Sequence, residues 1–250
     1  MKNPVLLEVC ANSVASALAA QHGGAFRVEL CENLYEGGTT PSYGEIQVAR
    51  RLLRIKLYVL IRPRGGDFLY TDVEYDIITA DAAWCIAAGC DGIVIGMLKA
   101  DGSVDKERCR KLVQMAKKNG LGVTFHRAFD MCADMDQALE DIIDLGCERI
   151  LTSGGKSTAM EGASTIAHLV KKADGRITIM PGSGIGENNA ADLVHFTGAT
   201  ELHSSARIRI QSKMEYKNDH IVMGDNYGNE FVYDQTDAGR VKAILEMANS

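Results

Sequence analysis

The sequence predicts an α/β protein: a closed (β/α)8 TIM barrel in a single domain spanning residues 1–250. Three observations predict it. Short apolar, β-rich runs alternate eight times with amphipathic helical stretches. The junction from helix to strand repeats in Gly24-Ala-Phe-Arg-Val-Glu29, Gly89-Cys-Asp-Gly-Ile-Val94, Gly146-Cys-Glu-Arg-Ile-Leu151 and Gly198-Ala-Thr-Glu-Leu-His203. Each glycine suits the left-handed residue after a helix. Finally, 250 residues is the usual size of eight βα units, and no stretch between the units reads as a linker. A doubly wound sheet is the rival, but Cys10-Ala-Asn-Ser13 after the first strand is not a Gly-x-Gly-x-x-Gly turn.

The elements follow in order. Leu6–Ala11 is the first strand, and Val14, Ala17 and Leu18 begin the first helix. Phe26–Cys31 is the second strand, and Thr40-Pro41 places proline in the first turn of the next helix. Leu57–Arg62 is the third. Thr71-x-x-Glu74 reads as a capping box ahead of a helix whose inner face is Val73, Ile77, Ala80 and Trp84. Gly92–Gly96 precedes a helix faced by Cys109, Leu112, Val113 and Ala116. Gly122–His126 precedes Asp134-x-x-Gln137 and a face of Met135, Ala138, Ile142 and Leu145. Arg149–Thr152 leads to Ile166, Leu169, Val170 and Ala173. Ile177–Pro181 and Thr200–Ser204 complete the strands, and Val241, Ile244, Leu245 and Ala248 face the last helix. Residues 207–235 break the alternation. There Ile221-Val-Met223 and Phe231-Val-Tyr233 flank the turn signal Asn226-Tyr-Gly-Asn229, a hairpin-like insertion at the barrel rim between strand eight and helix eight.

Composition narrows the function classes. Hydrophobic residues at 46% and charged residues at 24% are ordinary for a globular chain and exclude a disordered one. A net charge of −6 provides no basic field for nucleic acid. No run has the length of a membrane-spanning helix, and the N-terminus does not read as a signal peptide. Seven dispersed cysteines without a Cys-x-x-Cys pair fit free thiols in a reducing cytoplasm better than a secreted disulfide framework.

In such a barrel the loops after the strands build the functional face, and the reactive residues collect there. Glu8 and Cys10 end strand one; Glu29 and Cys31 end strand two. Arg62 ends strand three, His126-Arg127 with Asp130 ends strand five, and Thr152-Ser-Gly-Gly155 ends strand six. Pro181-Gly-Ser-Gly184 and His203-Ser-Ser205 end strands seven and eight. Alternation along a strand points Glu8 with Cys10 and Glu29 with Cys31. Two inward acids need basic partners, for which Arg62 and Arg127 are available. Cys10 and Cys31 at matching positions bring Cβ atoms about 5 Å apart, close enough for a soft Cu(I) ion. Cys132 is a candidate third sulfur, while Cys85, Cys90, Cys109 and Cys147 read as packing. Thr152, Ser153, Gly154, Gly182, Ser183 and Gly184, with Arg62 and Arg127, could present N–H groups and charge to an anion. In an enzyme, Glu8 or Glu29 would be a general base and His126 or His203 a general acid, with Asp130 beside them. No Cys/His spacing matches structural zinc, and no organic cofactor is predicted.

Several of these motifs together resemble the CutC copper-homeostasis family. They are Glu8-Val-Cys10, Arg27-Val-Glu-Leu-Cys31, Glu36-Gly-Gly-Thr-Thr-Pro-Ser42, Ile61-Arg-Pro-Arg-Gly-Gly-Asp-Phe-Leu-Tyr70, Thr124-Phe-His-Arg-Ala-Phe-Asp-Met131, Leu151-Thr-Ser-Gly154, Met180-Pro-Gly182 and His203-Ser-Ser-Ala-Arg207. The resemblance implies a cytoplasmic TIM barrel linked to copper, with Cys10 and Cys31 as the Cu(I) ligands. Two thiols alone leave Arg62, Arg64, His126, Arg127 and Asp130 unexplained. The alternative expectation is therefore an enzyme of unassigned reaction on a small anionic or phosphorylated metabolite. A homo-oligomer is compatible with either.

Overall fold

The computed structural model describes residues 4–218, 220–221 and 230–250. Eight strands form one parallel sheet: β1 (Leu6–Ala11), β2 (Arg27–Leu30), β3 (Lys56–Leu60), β4 (Gly92–Ile95), β5 (Gly122–Phe125), β6 (Arg149–Thr152), β7 (Thr178–Pro181) and β8 (Glu201–Ser204). The hydrogen-bonded order is β7-β6-β5-β4-β3-β2-β1-β8. β7 and β8 lie side by side without a ladder between them, so the barrel is nearly closed. Each strand is present where expected; the ends shift by one or two residues, chiefly in β3, which runs from Lys56 to Leu60 instead of Leu57 to Arg62.

The helices are α1 (Val14–His22), α2 (Tyr43–Leu52), α3 (Asp72–Ala87), α4 (Lys106–Lys118), α5 (Met135–Leu145), α6 (Ala163–Ala173), α7 (Ala190–Thr197) and α8 (Ala238–Ala248). Among the described residues none is long and apolar enough to cross a membrane. Thr71 caps α3 in a full capping box with Glu74, and Asp134 caps α5 through the N–H groups of Asp136 and Gln137. Two expectations are corrected. Ser42 is the cap of α2, so Pro41 stands outside the helix. In α3 the buried face is Ile78, Ala82 and Cys85, whereas Val73, Ile77 and Trp84 face outward.

The insertion contains a hairpin whose first strand is β9 (Arg207–Gln211), directly after β8; of the expected run Ile221-Val-Met223, the last two residues lie outside the described residues. β9 pairs antiparallel with β10 (Val232–Thr236). The turn signal at 226–229 lies outside the described residues. β10 packs on α1, where Thr236 N–H donates to Ser16 Oγ and Asn12 Nδ2 donates to the Asp234 carbonyl.

Barrels of this type are ordinarily filled by branched apolar layers. Here one layer is charged. Arg27, 2% exposed, donates to Glu8 and to Glu201, and Arg149 donates to Glu201 at 2.7 Å and to Glu148 at 2.8 Å. The Tyr58 ring lies between the two guanidiniums, 5.1 and 5.6 Å away, and its hydroxyl meets Glu148. Gly92 makes room for that ring, since a Cβ there would overlap it.

Candidate functional site

Above this charged layer, at the C-terminal ends of the strands, five predicted residues converge: Glu8, Cys10, Glu29, Cys31 and His203. Strand alternation explains it. Glu8 and Cys10 on β1, Arg27, Glu29 and Cys31 along β2, and Glu201 and His203 on β8 each repeat every second residue, so each set faces the barrel axis. Register sets Cys10 opposite Glu29, not opposite Cys31. The two sulfurs nevertheless meet at 3.3 Å, and ligand atoms of Cys10, Glu29 and Cys31 all lie within 4.8 Å of one another. His203 bridges the acids, with Nδ1 2.8 Å from Glu8 and Nε2 3.5 Å from Glu29. Glu8, Glu29 and His203 form a second group of the same compactness.

Burial and charge divide the proton affinities. Burial raises Glu8, but Arg27 and the His203 hydrogen bond outweigh it and hold the carboxyl well below its usual range. Among the described residues no guanidinium bonds Glu29; burial pushes it up to about 7, opposed by His203 and more weakly by Arg27, and helped by Glu8. Burial disfavours the His203 imidazolium, yet bonds to Cys10 and Glu8 and the charge of Glu29 lift it well above its ordinary value. The bond to Cys31, with burial, pushes the Cys10 thiol up. The same bond pulls Cys31 down, but burial and Glu29 outweigh it, so that thiol rises too. The site at neutral pH thus holds an anionic Glu8, a cationic His203, two neutral thiols and a Glu29 poised between its forms.

The other predicted residues are placed elsewhere. Arg62 does not partner the acids: its guanidinium donates to the carbonyls of Glu36 (2.8 Å), Gly38 (2.6 Å) and Gly66 (2.8 Å), tying two loops together. Arg127 likewise turns away from Glu8 and Glu29, giving Nε to Asp130 at 2.8 Å and Nη2 to Ser153 at 2.7 Å. The real partner of Glu8 is Arg27, and the signal for it was the alternation that places Arg27 in line with Glu29. Arg149 and Glu201 follow by the same rule.

Asp130 fills the cup expected to hold an anion after β6. Its carboxylate accepts from Thr152 Oγ1, from Ser153 N–H at 3.1 Å and Oγ at 3.0 Å, and from Gly155 N–H at 3.0 Å. Gly154 N–H goes to Thr152 Oγ1 and Gly182 N–H to the Thr152 carbonyl. His126 is 5% exposed and sits apart from His203. Its Nδ1 accepts from Ala128 N–H at 3.0 Å, which places the ring proton on Nε2. Burial, with Arg62 nearby, lowers it to about 3, so it is neutral. Cys132 bonds the Ala128 carbonyl and joins neither cluster.

A cavity of about 420 Å³ opens over the cluster. Cys10, Leu34, Arg127, Leu151 and His203 line it, with the loops after β7 (Ser183, Gly184, Ile185) and β8 (Ser204, Ser205) and Arg207.

Fold and site together define a class: a (β/α)8-barrel protein with a thiol pair, two acids and an imidazole at its mouth. The comparisons are more specific. A profile of the CutC family matches residues 5–208. The chain is 51% identical to a CutC family protein of Parabacteroides distasonis over 242 residues, 96% of this chain and 99% of the relative. It is 46% identical to the copper homeostasis protein cutC homolog of Mus musculus over 247 residues, 98% of this chain and 90% of the relative. The Streptococcus agalactiae CutC crystal structure superposes with a TM-score of 0.76 at 35% identity, covering 80% of this chain and 98% of that one. The chain belongs to the CutC copper-homeostasis family. Thiamine phosphate pyrophosphorylase of Pyrococcus furiosus, with a TM-score of 0.61 at 14% identity, shares the fold.

Proposed function

We propose that this protein serves copper homeostasis by binding Cu(I) between Cys10 and Cys31 in the reducing cytoplasm. The observation that carries this reading is the pair of sulfurs 3.3 Å apart, one of which, on Cys10, lines an open cavity. Thiolates are the ligands Cu(I) prefers, and all seven cysteines are free. The donor set fits such an ion in another respect. Both thiols carry protons that must leave when metal binds, and a Glu29 carboxylate oxygen lies within 4.8 Å of both sulfurs. Glu29, whose proton affinity burial raises to about 7, is the carboxylate nearest the proton that Cys10 gives up when metal binds. Cys10 lines the cavity, which supplies the entry path.

The test is a Cu(I) titration of reduced, anaerobic protein against a competing chelator. The parent should hold Cu(I) in a stoichiometric site, and the variant carrying Cys10→Ser with Cys31→Ser should lose it while keeping its circular dichroism. Parent-like titration of that folded double variant overturns the assignment.

A further inference from the structure

We propose that the cavity beside the thiol pair binds the phosphate group of a small phosphorylated metabolite, held by the loops after β7 and β8 with Arg127 and Arg207. This goes beyond copper binding and does not rest on it.

Backbone hydrogen bonding provides the first observation. Ser183, Gly184, Ile185 and Ser205 line this cavity, and among the described residues none of their four backbone N–H groups has a protein acceptor. This contrasts with the loop after β6, whose N–H groups are given to Asp130. Four free N–H donors in two loops that line one cavity form a ready donor site for the oxygens of an anion.

Charge provides the second. Arg127 uses Nε and Nη2 internally, leaving Nη1 without a partner among the described residues. Arg207 meets Asp234 through Nη1 alone at 3.2 Å, leaving Nε and Nη2. Among the described residues no carboxylate lines the cavity. Asp130 and Asp234 face the two arginines from outside its lining.

Backbone conformation provides the third. Ser183 has φ of +81° and Gly184 +71°. Serine in the left-handed region is uncommon and costs energy, a pattern that gathers at ligand-holding loops. Its hydroxyl, bonded to the Ser157 carbonyl at 2.7 Å, fixes the loop in that state. A volume of about 420 Å³ accommodates more than a phosphate. With the phosphate on these loops, the rest of the molecule faces Cys10 and His203, which line the same space.

The experiment measures thermal stability of the full chain at constant ionic strength with inorganic phosphate, glycerol 3-phosphate and glycerol. Both phosphates should raise Tm progressively with concentration, glycerol should not, and glycerol 3-phosphate should be at least as effective as inorganic phosphate. Ser205→Asp places a carboxylate among the donors and should weaken phosphate binding about tenfold or more. Arg207→Met, on the exposed rim, should weaken it without altering the fold and serves if Ser205→Asp does not fold. Both variants should retain parent-like Cu(I) titration. Absence of any phosphate effect, equal stabilisation by glycerol, response to inorganic phosphate alone, or undiminished binding in folded variants overturns the proposal.

Discussion

Replacing Arg27 by Met probes the charged layer under the site. Arg27 is 2% exposed and sits between Glu8 and Glu201. Removing one partner of a buried ionic network typically costs about 3–5 kcal/mol, because the remaining charge has no solvent. Neither acid is left wholly alone: Glu201 keeps Arg149 at 2.7 Å and Glu8 keeps His203 at 2.8 Å. The lower end, about 3 kcal/mol, is therefore expected. For a chain of this size each kcal/mol moves Tm by about 2–4 °C, giving a fall of about 6–12 °C. Urea unfolding of parent and variant measures it, with Lys111→Met as a control. That lysine pairs with Glu107 on an exposed helix face, where solvent screens the pair, and its loss should leave stability nearly unchanged. Adding Glu8→Gln to Arg27→Met removes the stranded charge and should recover part of the loss. A cost below about 1 kcal/mol for Arg27→Met, or no recovery in the double variant, refutes the argument that these charges are dry and mutually dependent.

The remaining predictions concern the site. Glu29 binds its proton at about 7 in the folded chain against 4.5 for a free side chain, so the folded state is over-protonated in that window and loses stability as pH rises through it, by about 3 kcal/mol. His203, raised above its ordinary 6.5, acts in the same direction: its stabilisation is complete below that value and fades as pH rises through the folded value. Glu29→Gln should therefore flatten the decline between about pH 4.5 and 7 in a urea-midpoint series, and a parallel profile would contradict the assignment. Asp130→Asn should cost about 3 kcal/mol, since the carboxylate accepts from Thr152, Ser153, Gly155 and Arg127 at once. Faster hydrogen exchange at Ser153 and Gly155 should accompany the loss, and unchanged exchange would show that the carboxylate does not order the loop.

The strands were legible because parallel strands buried on both faces read as apolar runs, and the recurring glycine junctions marked where they begin. The thiol pair was legible for the same periodic reason. The face of α3 was not: Ile77-Ile78 and a run of alanines offer two apolar stripes, and only packing selects Ile78, Ala82 and Cys85. Arg62 was misplaced because β3 ends two residues earlier, which releases its side chain to the loop carbonyls. The donors of the loop after β6 were read from glycines and hydroxyls in sequence. Their acceptor, Asp130, comes from a different strand end, and chain order does not pair them. Arg27 and Arg149 were overlooked because arginine in a strand ordinarily marks an exposed position.

The missing ladder between β7 and β8 affects how the chain matures. β8 joins the sheet through β1 alone, and across the seam Ser204 Oγ reaches the Ile185 carbonyl at 2.7 Å. The first strand therefore depends on the last. Glu8 waits for His203, 195 residues later, before its second partner exists. During synthesis β1 carries an open edge and a buried acid lacking its imidazole, both hazards for a nascent chain. Closing the ring is a long-range step of the slow kind. The copper-ligand candidates, one on β1 and one just beyond β2, come together early in translation; the imidazole and the proposed phosphate loops arrive only with its final third.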